Sequence, residues 1–278
     1  MTWHLSGSVD AFAAAAEDYL RARPVENTVL LTVTANLRQH GKHRYGSQDP
    51  VFGWHSSHRQ VDGAFLQTPP FPAYLSAMPT GAANTLAEAL TGRDLTGVNG
   101  LTADTEAFTR TWRRTTGAPA SPGMRMRLYR LDKLTPPEPP PSGASRQADP
   151  HDRELLIGWW EAFEAEAMSV GHGAAASVDD GLSYRGFTLW QVDDQPVSMA
   201  MASRPEAGMV RIVAVYTPPE HRGNGYAGAA TAVVTQSALD RGARDVVLNT
   251  DLANKTSNAL YQRLGYRPIE DRMVMEFR

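Results

Sequence analysis

Val213-Ala-Val-Tyr-Thr-Pro-Pro-Glu-His-Arg-Gly-Asn-Gly-Tyr-Ala227 is the stretch on which the reading of the chain turns. The apolar, β-branched run Met209 to Tyr216 has the composition of a buried strand. Two prolines end it, and Arg222-Gly-Asn-Gly-Tyr-Ala227 opens a helix expected over Gly225 to Arg241. Such a junction suits an anion. The first turn of a helix offers free N–H groups and the positive end of its dipole, and glycines let the backbone approach phosphate oxygens. Gly223 and Gly225 fit that role, and Ala227 is small enough to keep the next turn out of a ligand's space. A glycine pair between strand and helix is also a common tight turn, so a second motif has to decide.

That motif lies downstream. After a strand expected over Val246 to Thr250 comes Asn254-Lys-Thr-Ser257-Asn-Ala-Leu260-Tyr261-Gln-Arg-Leu264-Gly265-Tyr266, with a helix over Thr256 to Leu264 and a last strand over Met273 to Phe277. Together, Arg222-x-x-Gly225-x-Ala227 and the Asn254 to Tyr266 segment resemble the two cofactor motifs of the GCN5-related N-acetyltransferases (GNAT family), at the family's separation. The resemblance covers about the last 135 residues.

It implies acetyl-CoA as cosubstrate and a cofactor site made by Val215, Tyr216, Thr217, Arg222, Gly223, Asn224, Gly225, Tyr226, Ala227, Asn254, Ser257 and Tyr261. In this family the strand matching Met209 to Tyr216 bulges away from its neighbour, so that the pantetheine arm pairs with backbone near Val215 and Thr217. A backbone N–H there faces the thioester oxyanion, and the amides of Arg222 through Ala227 take the pyrophosphate. Asn254 and Ser257 bond the pantetheine or phosphate region, and Tyr261 stands near the sulfur. A phenol with a pKa near 10 would protonate the departing thiolate. The acceptor is expected to be the amine of a small molecule that attacks the thioester directly. For the base that takes the amine's proton, Glu161 and Asp251 rank ahead of Glu164 and Glu206.

Working back from the motif, Phe187 to Val192 and Val197 to Ser203 flank Asp193-Asp194-Gln195 as a hairpin. Asp149-Pro150 starts a helix expected to run to about Val170, and Ala144 to Ala148 is a short strand. Before them, Thr135-Pro-Pro-Glu-Pro-Pro-Pro-Ser-Gly143 excludes helix and central strand, and reads as a stiff extended linker. It divides the chain into residues 1–134 and 144–278.

The first part has helical periods over Val9 to Leu20, Thr28 to Gln39, Thr80 to Leu90 and Thr105 to Thr115. Extended runs lie over Val51 to Ser56, Val61 to Thr68, Ala73 to Ala77, Leu95 to Leu101 and Arg125 to Leu131. The order helix, hairpin, strand, helix, strand, helix, strand thus occurs twice. The fold class expected is α+β with mixed α/β character: two tandem GNAT-like domains, each a mixed, mostly antiparallel sheet flanked by helices. In the first copy Met78-Pro-Thr-Gly-Ala-Ala83 offers one glycine and no arginine, and Trp112 falls where Tyr261 would. Residues 1–134 are therefore expected to be a degenerate copy without cofactor.

Composition narrows the remaining classes. With no cysteine among 278 residues there are no disulfides, thiolate nucleophiles or cysteine-type zinc, which fits a reducing cytoplasm. Met1 to Leu5 has neither the basic nor the apolar region of a leader, and no long apolar run predicts a membrane span. The net charge of −3 speaks against nucleic acid as partner. Arg110, Arg113, Arg114, Arg125, Arg127 and Arg130 keep an RNA-linked acyl carrier open as an alternative donor, beside other acyl-CoAs. A non-catalytic acyl-CoA sensor is the alternative of a different class. His55-x-x-His58 lacks a third ligand type at metal spacing, so no metal is expected. Trp159, Trp160 and the charges of their helix have packing and solvation as their plainest roles. A duplicated domain makes internally the contacts that single copies make as dimers, favouring a monomer over a homodimer.

Overall fold

The computed structural model describes residues 2–167 and 173–278. In chain order the first repeat comprises β1 (Thr2–Ser6), α1 (Val9–Arg21), α2 (Thr28–His40), β2 (Val51–Ser57), β3 (Gln60–Gln67), β4 (Ala73–Leu75), α3 (Ala82–Ala89), β5 (Gly97–Leu101), α4 (Thr102–Thr116) and β6 (Ala120–Leu131). The second comprises β7 (Ala144–Gln147), α5 (Arg153–Glu166), α6 (Ala174–Ser183), β8 (Phe187–Val192), β9 (Gln195–Ala202), β10 (Met209–Tyr216), α7 (Tyr226–Asp240), β11 (Asp245–Asp251), α8 (Lys255–Arg263) and β12 (Tyr266–Phe277). Strand, two helices, three strands, helix, strand, helix, strand: the same order runs twice, and the fold is mixed α/β with mostly antiparallel sheet.

Local chemistry sets several of these boundaries. Ser8 caps α1 by accepting the Ala11 N–H at 3.2 Å. Asp149 and Asp152 form a reciprocal capping box around Pro150, so the chain enters α5 through one 3₁₀ turn. Asp193 and Asp194 take φ of +48° and +61°, the left-handed pair that a two-residue hairpin between β8 and β9 requires. The expected helix to Val170 ends as α5 at Glu166, and its expected residues 168–170 lie outside the described residues. β1 and α6 add to the expected elements, and β6 and β12 are longer than their apolar cores.

Contacts divide the chain into two compact units. Unit 1 holds the chain up to Leu128 with Asp251–Ala253 and Ile269–Arg278; unit 2 holds Tyr129–Thr250 and Asn254–Pro268. The repeats follow chain order and the units do not, because β6 and β12 each begin in one unit and end in the other. The strand order in unit 1 is β1-β2-β3-β4-β5-β12-β6, so its sixth strand comes from the end of the chain, with Arg272 across from Leu101 and Met275 across from Val98. In unit 2 the order is β6-β11-β10-β9-β8-β7.

In unit 1, α3 and α4 bury Phe65, Leu75, Leu86, Val98 and Phe108 together with Trp112 and Phe277. Trp112 and Phe277 stack at 5.5 Å, which makes Trp112 a core residue. Arg272 is only 2% exposed. Its guanidinium donates to Glu270 at 2.7 Å, to the Leu75 carbonyl at 2.8 Å and to the Glu26 carbonyl at 3.0 Å, and lies 4.8 Å from the centre of the Tyr74 ring. Of the arginines expected as a basic cluster, Arg127 grips Asp271 with two bonds of 2.6 and 2.8 Å, Arg114 pairs with Glu88, and Arg130 in unit 2 pairs with Asp245. Among the described residues, no helix is long and apolar enough to cross a membrane.

Half-buried Asp104, in the first turn of α4, has its pKa pushed up to about 6 by desolvation, with the Arg272 charge opposing. Between about pH 4 and pH 6 the folded chain therefore holds a proton that the unfolded chain has released, and stability falls as pH rises through that window. Asp104→Asn should be more stable than the parent at pH 7.5 by about 1 kcal/mol, after allowance for solvent screening, and equal to it near pH 4. Denaturant midpoints at the two pH values check this; a difference that does not change with pH contradicts it.

Candidate functional site

β10 and β11 run parallel and pair from Met209 with Asp245 to Ile212 with Leu248, where the pairing stops. β10 stays with β9 on its other side, but its register slips between Val213 and Tyr216, with Ala214 at φ +48°. Two residues of β10, Ala214 and Val215, there stand across from one residue of β9. This bulge turns the strand out of line, and the backbone beyond Ile212 that would face β11 is left without a strand partner. Fully buried Ser198 holds the departing end: its hydroxyl donates to the Tyr216 carbonyl at 3.0 Å and lies 2.8 Å from the Thr217 hydroxyl. Sequence reasoning missed Ser198, because one serine in an apolar strand carries no signal of what it ties.

The chain then passes a 3₁₀ turn, Pro219–His221, and two left-handed glycines, Gly223 at φ +83° and Gly225 at φ +84°. Gly225 is the residue before α7, and no side chain caps that helix. A Cβ on Gly223 would meet nothing within 4 Å, so the face of the turn is open. Asn224 folds its amide back onto the His221 and Arg222 carbonyls at 3.1 and 3.2 Å. Arg222 turns away as well, donating to the Thr217 carbonyl at 2.9 Å and to Glu166 of α5 at 2.6 Å, its guanidinium 5.8 Å from the Tyr216 ring. Their side chains shape the loop, and the uncapped backbone donors of Tyr226 and Ala227 stand at the helix start, as an anion requires.

On the opposite side, Asn254 accepts the Ser257 N–H at 3.0 Å and so caps α8. Tyr261 of α8 is 8% exposed, with its ring centre 6.5 Å from that of Tyr129 and 6.1 Å from that of Tyr266. The other two hydroxyls of this trio are engaged: Tyr129 donates to Asn258 at 2.8 Å and accepts from Gln262 at 3.1 Å, and Tyr266 bonds Thr235 at 2.6 Å. Among the described residues the Tyr261 hydroxyl has no hydrogen-bond partner, and burial pushes its pKa up to about 12.

Glu161 is exposed, about 140° around α5 from Glu166, the residue of that helix bound to Arg222. Asp251 ends β11, and its carboxylate accepts the Ala253 N–H at 2.9 Å. Buried Glu164 accepts from the Trp160 indole at 2.9 Å, and Glu206 lies before the far, N-terminal end of β10. Trp159 stands 6.3 Å from the Tyr216 ring, while Trp160 meets Phe187 edge-on. In unit 1, His55 is buried with its Nδ1 2.5 Å from Asp62, and among the described residues no three acidic or histidine side chains gather as metal ligands would.

Residues 142–266 match the family model described as acetyltransferase (GNAT) family. This stretch is a GNAT acetyltransferase domain. Solved structures of the fold extend over the whole chain. A Drosophila protein superposes with a TM-score of 0.71 at 14% identity, covering 99% of this chain and 98% of its own. A GCN5-related N-acetyltransferase from Sphaerobacter thermophilus gives 0.64 at 15%, covering 99% and 95%. A GNAT-family acetyltransferase from Colwellia psychrerythraea gives 0.61 at 10%, covering 100% and 99%. At these identities the likeness shows the fold, in which both repeats take part. No curated protein matches the sequence.

Ser198→Ala tests what holds the GNAT bulge. It leaves the Tyr216 carbonyl without its buried donor, and should cost about 1–2 kcal/mol in a denaturant titration. A loss below a few tenths of a kcal/mol would mean that the bulge stands without Ser198.

Proposed function

We propose that the second repeat transfers an acetyl group from acetyl-CoA to the amine of a small molecule. The observation that carries this reading is the parting of β10 and β11 after Ile212 and Leu248, directly before an uncapped helix start entered through two left-handed glycines. An extended amide arm finds backbone partners along the bulge, and a pyrophosphate finds N–H groups at the start of α7. In this reading residues 1–134 are a copy without cofactor, the proline-rich segment 135–143 follows, and the chemistry belongs to residues 144–278. Val215, Tyr216 and Thr217 border the arm, Arg222 to Ala227 border the phosphates, and Asn254, Ser257 and Tyr261 close the other side.

In the reaction a neutral amine adds to the thioester carbonyl, forming the C–N bond and a tetrahedral oxyanion that a bulge N–H stabilises. The C–S bond then breaks with its electron pair on sulfur, and the proton lost by nitrogen passes to solvent or to the thiolate. A phenol held near 12 is a weaker acid than an ordinary thiol near 8.5, so Tyr261 keeps its proton. In this reading it donates a hydrogen bond to sulfur as negative charge grows there, and the thiolate takes its proton from solvent or from the amine. Glu161, exposed on α5, and Asp251, at the end of β11, are the candidate bases for the amine's proton, and a water chain is the other route.

Gly225→Asp should abolish acetyl-CoA binding, since a carboxylate at this turn repels pyrophosphate. Tyr261→Phe should bind as well as the parent and lower kcat for amine-dependent thiol release by roughly tenfold, the worth of one hydrogen bond to a charged atom. Unchanged binding by the glycine variant overturns the placement of the phosphates. Binding by the parent without thiol release across an amine panel would make the domain an acyl-CoA sensor.

A further inference from the structure

The proline-rich segment is fastened to unit 2 at both ends. At its start the Asp132 N–H donates to the Gly265 carbonyl at 3.1 Å and the Thr135 N–H to the Leu264 carbonyl at 3.0 Å. Gly265 lies so close to the strap that an added Cβ would stand 1.8 Å from the Lys133 carbonyl oxygen. At its end the Trp190 indole donates to the Ser142 carbonyl at 2.9 Å, and a Cβ on Gly143 would stand 2.1 Å from the Gln191 carbonyl oxygen. Between these anchors the strap crosses the first turn of α7.

Two glycines mark the crossing, Gly225 before α7 and Gly228 in its first turn. A Cβ built on Gly228 would lie 3.6 Å from Cγ of Pro137 and 3.0 Å from Leu260, and one on Gly225 would lie 3.8 Å from Cβ of Pro141. Glycine inside a helix costs roughly 1 kcal/mol against alanine, so its place at 228 needs a reason; Leu260 of α8 supplies it, with Pro137 of the strap at ordinary contact distance from the same position. Pro137 and Pro141 are half-buried, whereas Pro136 and Pro140 between and beside them are exposed. Proline is well suited to such a strap. Its φ is already fixed, so ordering the segment loses little entropy, and it brings no N–H of its own to this surface.

We infer that Pro137 and Pro141 are positioning residues for the anion site: the strap clamps the uncapped start of α7, with the Gly225 turn, in the arrangement that takes phosphate. This assigns the strap a part in binding, beyond joining the two repeats. It rests on the proposed function for the identity of the ligand, and on the contacts alone for the clamp. A helix start with no side-chain cap frays unless something packs on it. A site whose donors are already in place binds more tightly than one that has to be ordered on binding.

The test compares two double variants of the full chain. P137A/P141A removes the ring carbons that lie beside the start of α7; P136A/P140A changes the same number of prolines in the same segment at exposed positions, and so carries the same entropic effect on the unfolded chain. The first readout is amide hydrogen exchange of Tyr226 to Ala229 without ligand, and the second is the Kd for acetyl-CoA. The clamp predicts faster exchange of that turn and roughly fivefold weaker binding in P137A/P141A, with P136A/P140A like the parent. Equal exchange in the two variants, or equal Kd values, overturns it. If the parent itself binds no acetyl-CoA, the proposed function falls and the exchange comparison still decides the clamp.

Discussion

The hydrogen bonding between β10 and β11 stops after four residue pairs, and the site in the second repeat depends on that stop. Two parallel strands that stayed paired to their ends would leave no backbone to offer. The bulge at Ala214 turns β10 aside, and Ser198 fixes where it goes by satisfying the Tyr216 carbonyl from the neighbouring strand. Buried N–H and C=O groups need partners, so a gap of this kind is costly unless water or a ligand fills it. The same turn of direction delivers the chain to Gly223 and Gly225, whose left-handed backbone swings it into α7 with the helix's free donors exposed. Strand break and helix start are thus one construction, made by a run of about fifteen residues.

The first repeat has the same frame with different contents. Gly81 precedes α3 in the left-handed region at φ +88°, as Gly225 precedes α7. But the third residue of α4 is Asp104, a carboxylate, where α8 has Ser257, and the loop before Gly81 lacks a second glycine. The buried guanidinium of Arg272 takes the carbonyl of Leu75, the last residue of β4, so that a side chain of this protein already occupies the end of that strand. These differences support reading the first repeat as a copy without cofactor. They cost little to the fold, because strand order and helix packing rest on Phe65, Leu86, Val98 and Phe108, which are untouched by them.

Much of this was legible in the sequence. α1 and β10 fall within a residue or two of where periodicity placed them, since each buries one stripe or face, whereas α7, buried all round from Gly228 to Ala232, is placed by the glycines before it. α6 was not legible: Ala174-Ala-Ala-Ser-Val-Asp-Asp-Gly-Leu-Ser183 is nearly all small or acidic, with a glycine in the last turn, and Val178 is the one large apolar residue in the stripe of Ala174, Ser177, Val178 and Gly181 that it buries. β1 was missed because five residues at a sheet edge make too short a pattern. The pairing of β12 with β5 is a matter of which strands meet, and alternation within a strand says nothing about its partner. At the site, the glycines and Tyr261 were readable as a motif. The ties that shape it, Ser198 to Tyr216, Arg222 to Glu166 and Pro137 against Gly228, join residues 18 to 91 positions apart and leave no local mark.

The central claim is that one cofactor site exists per chain and that it lies in the second repeat. Calorimetric titration of the full chain with acetyl-CoA reads affinity and stoichiometry together. The account predicts a single class of sites with one ligand per chain. Two ligands per chain, or none, would contradict it.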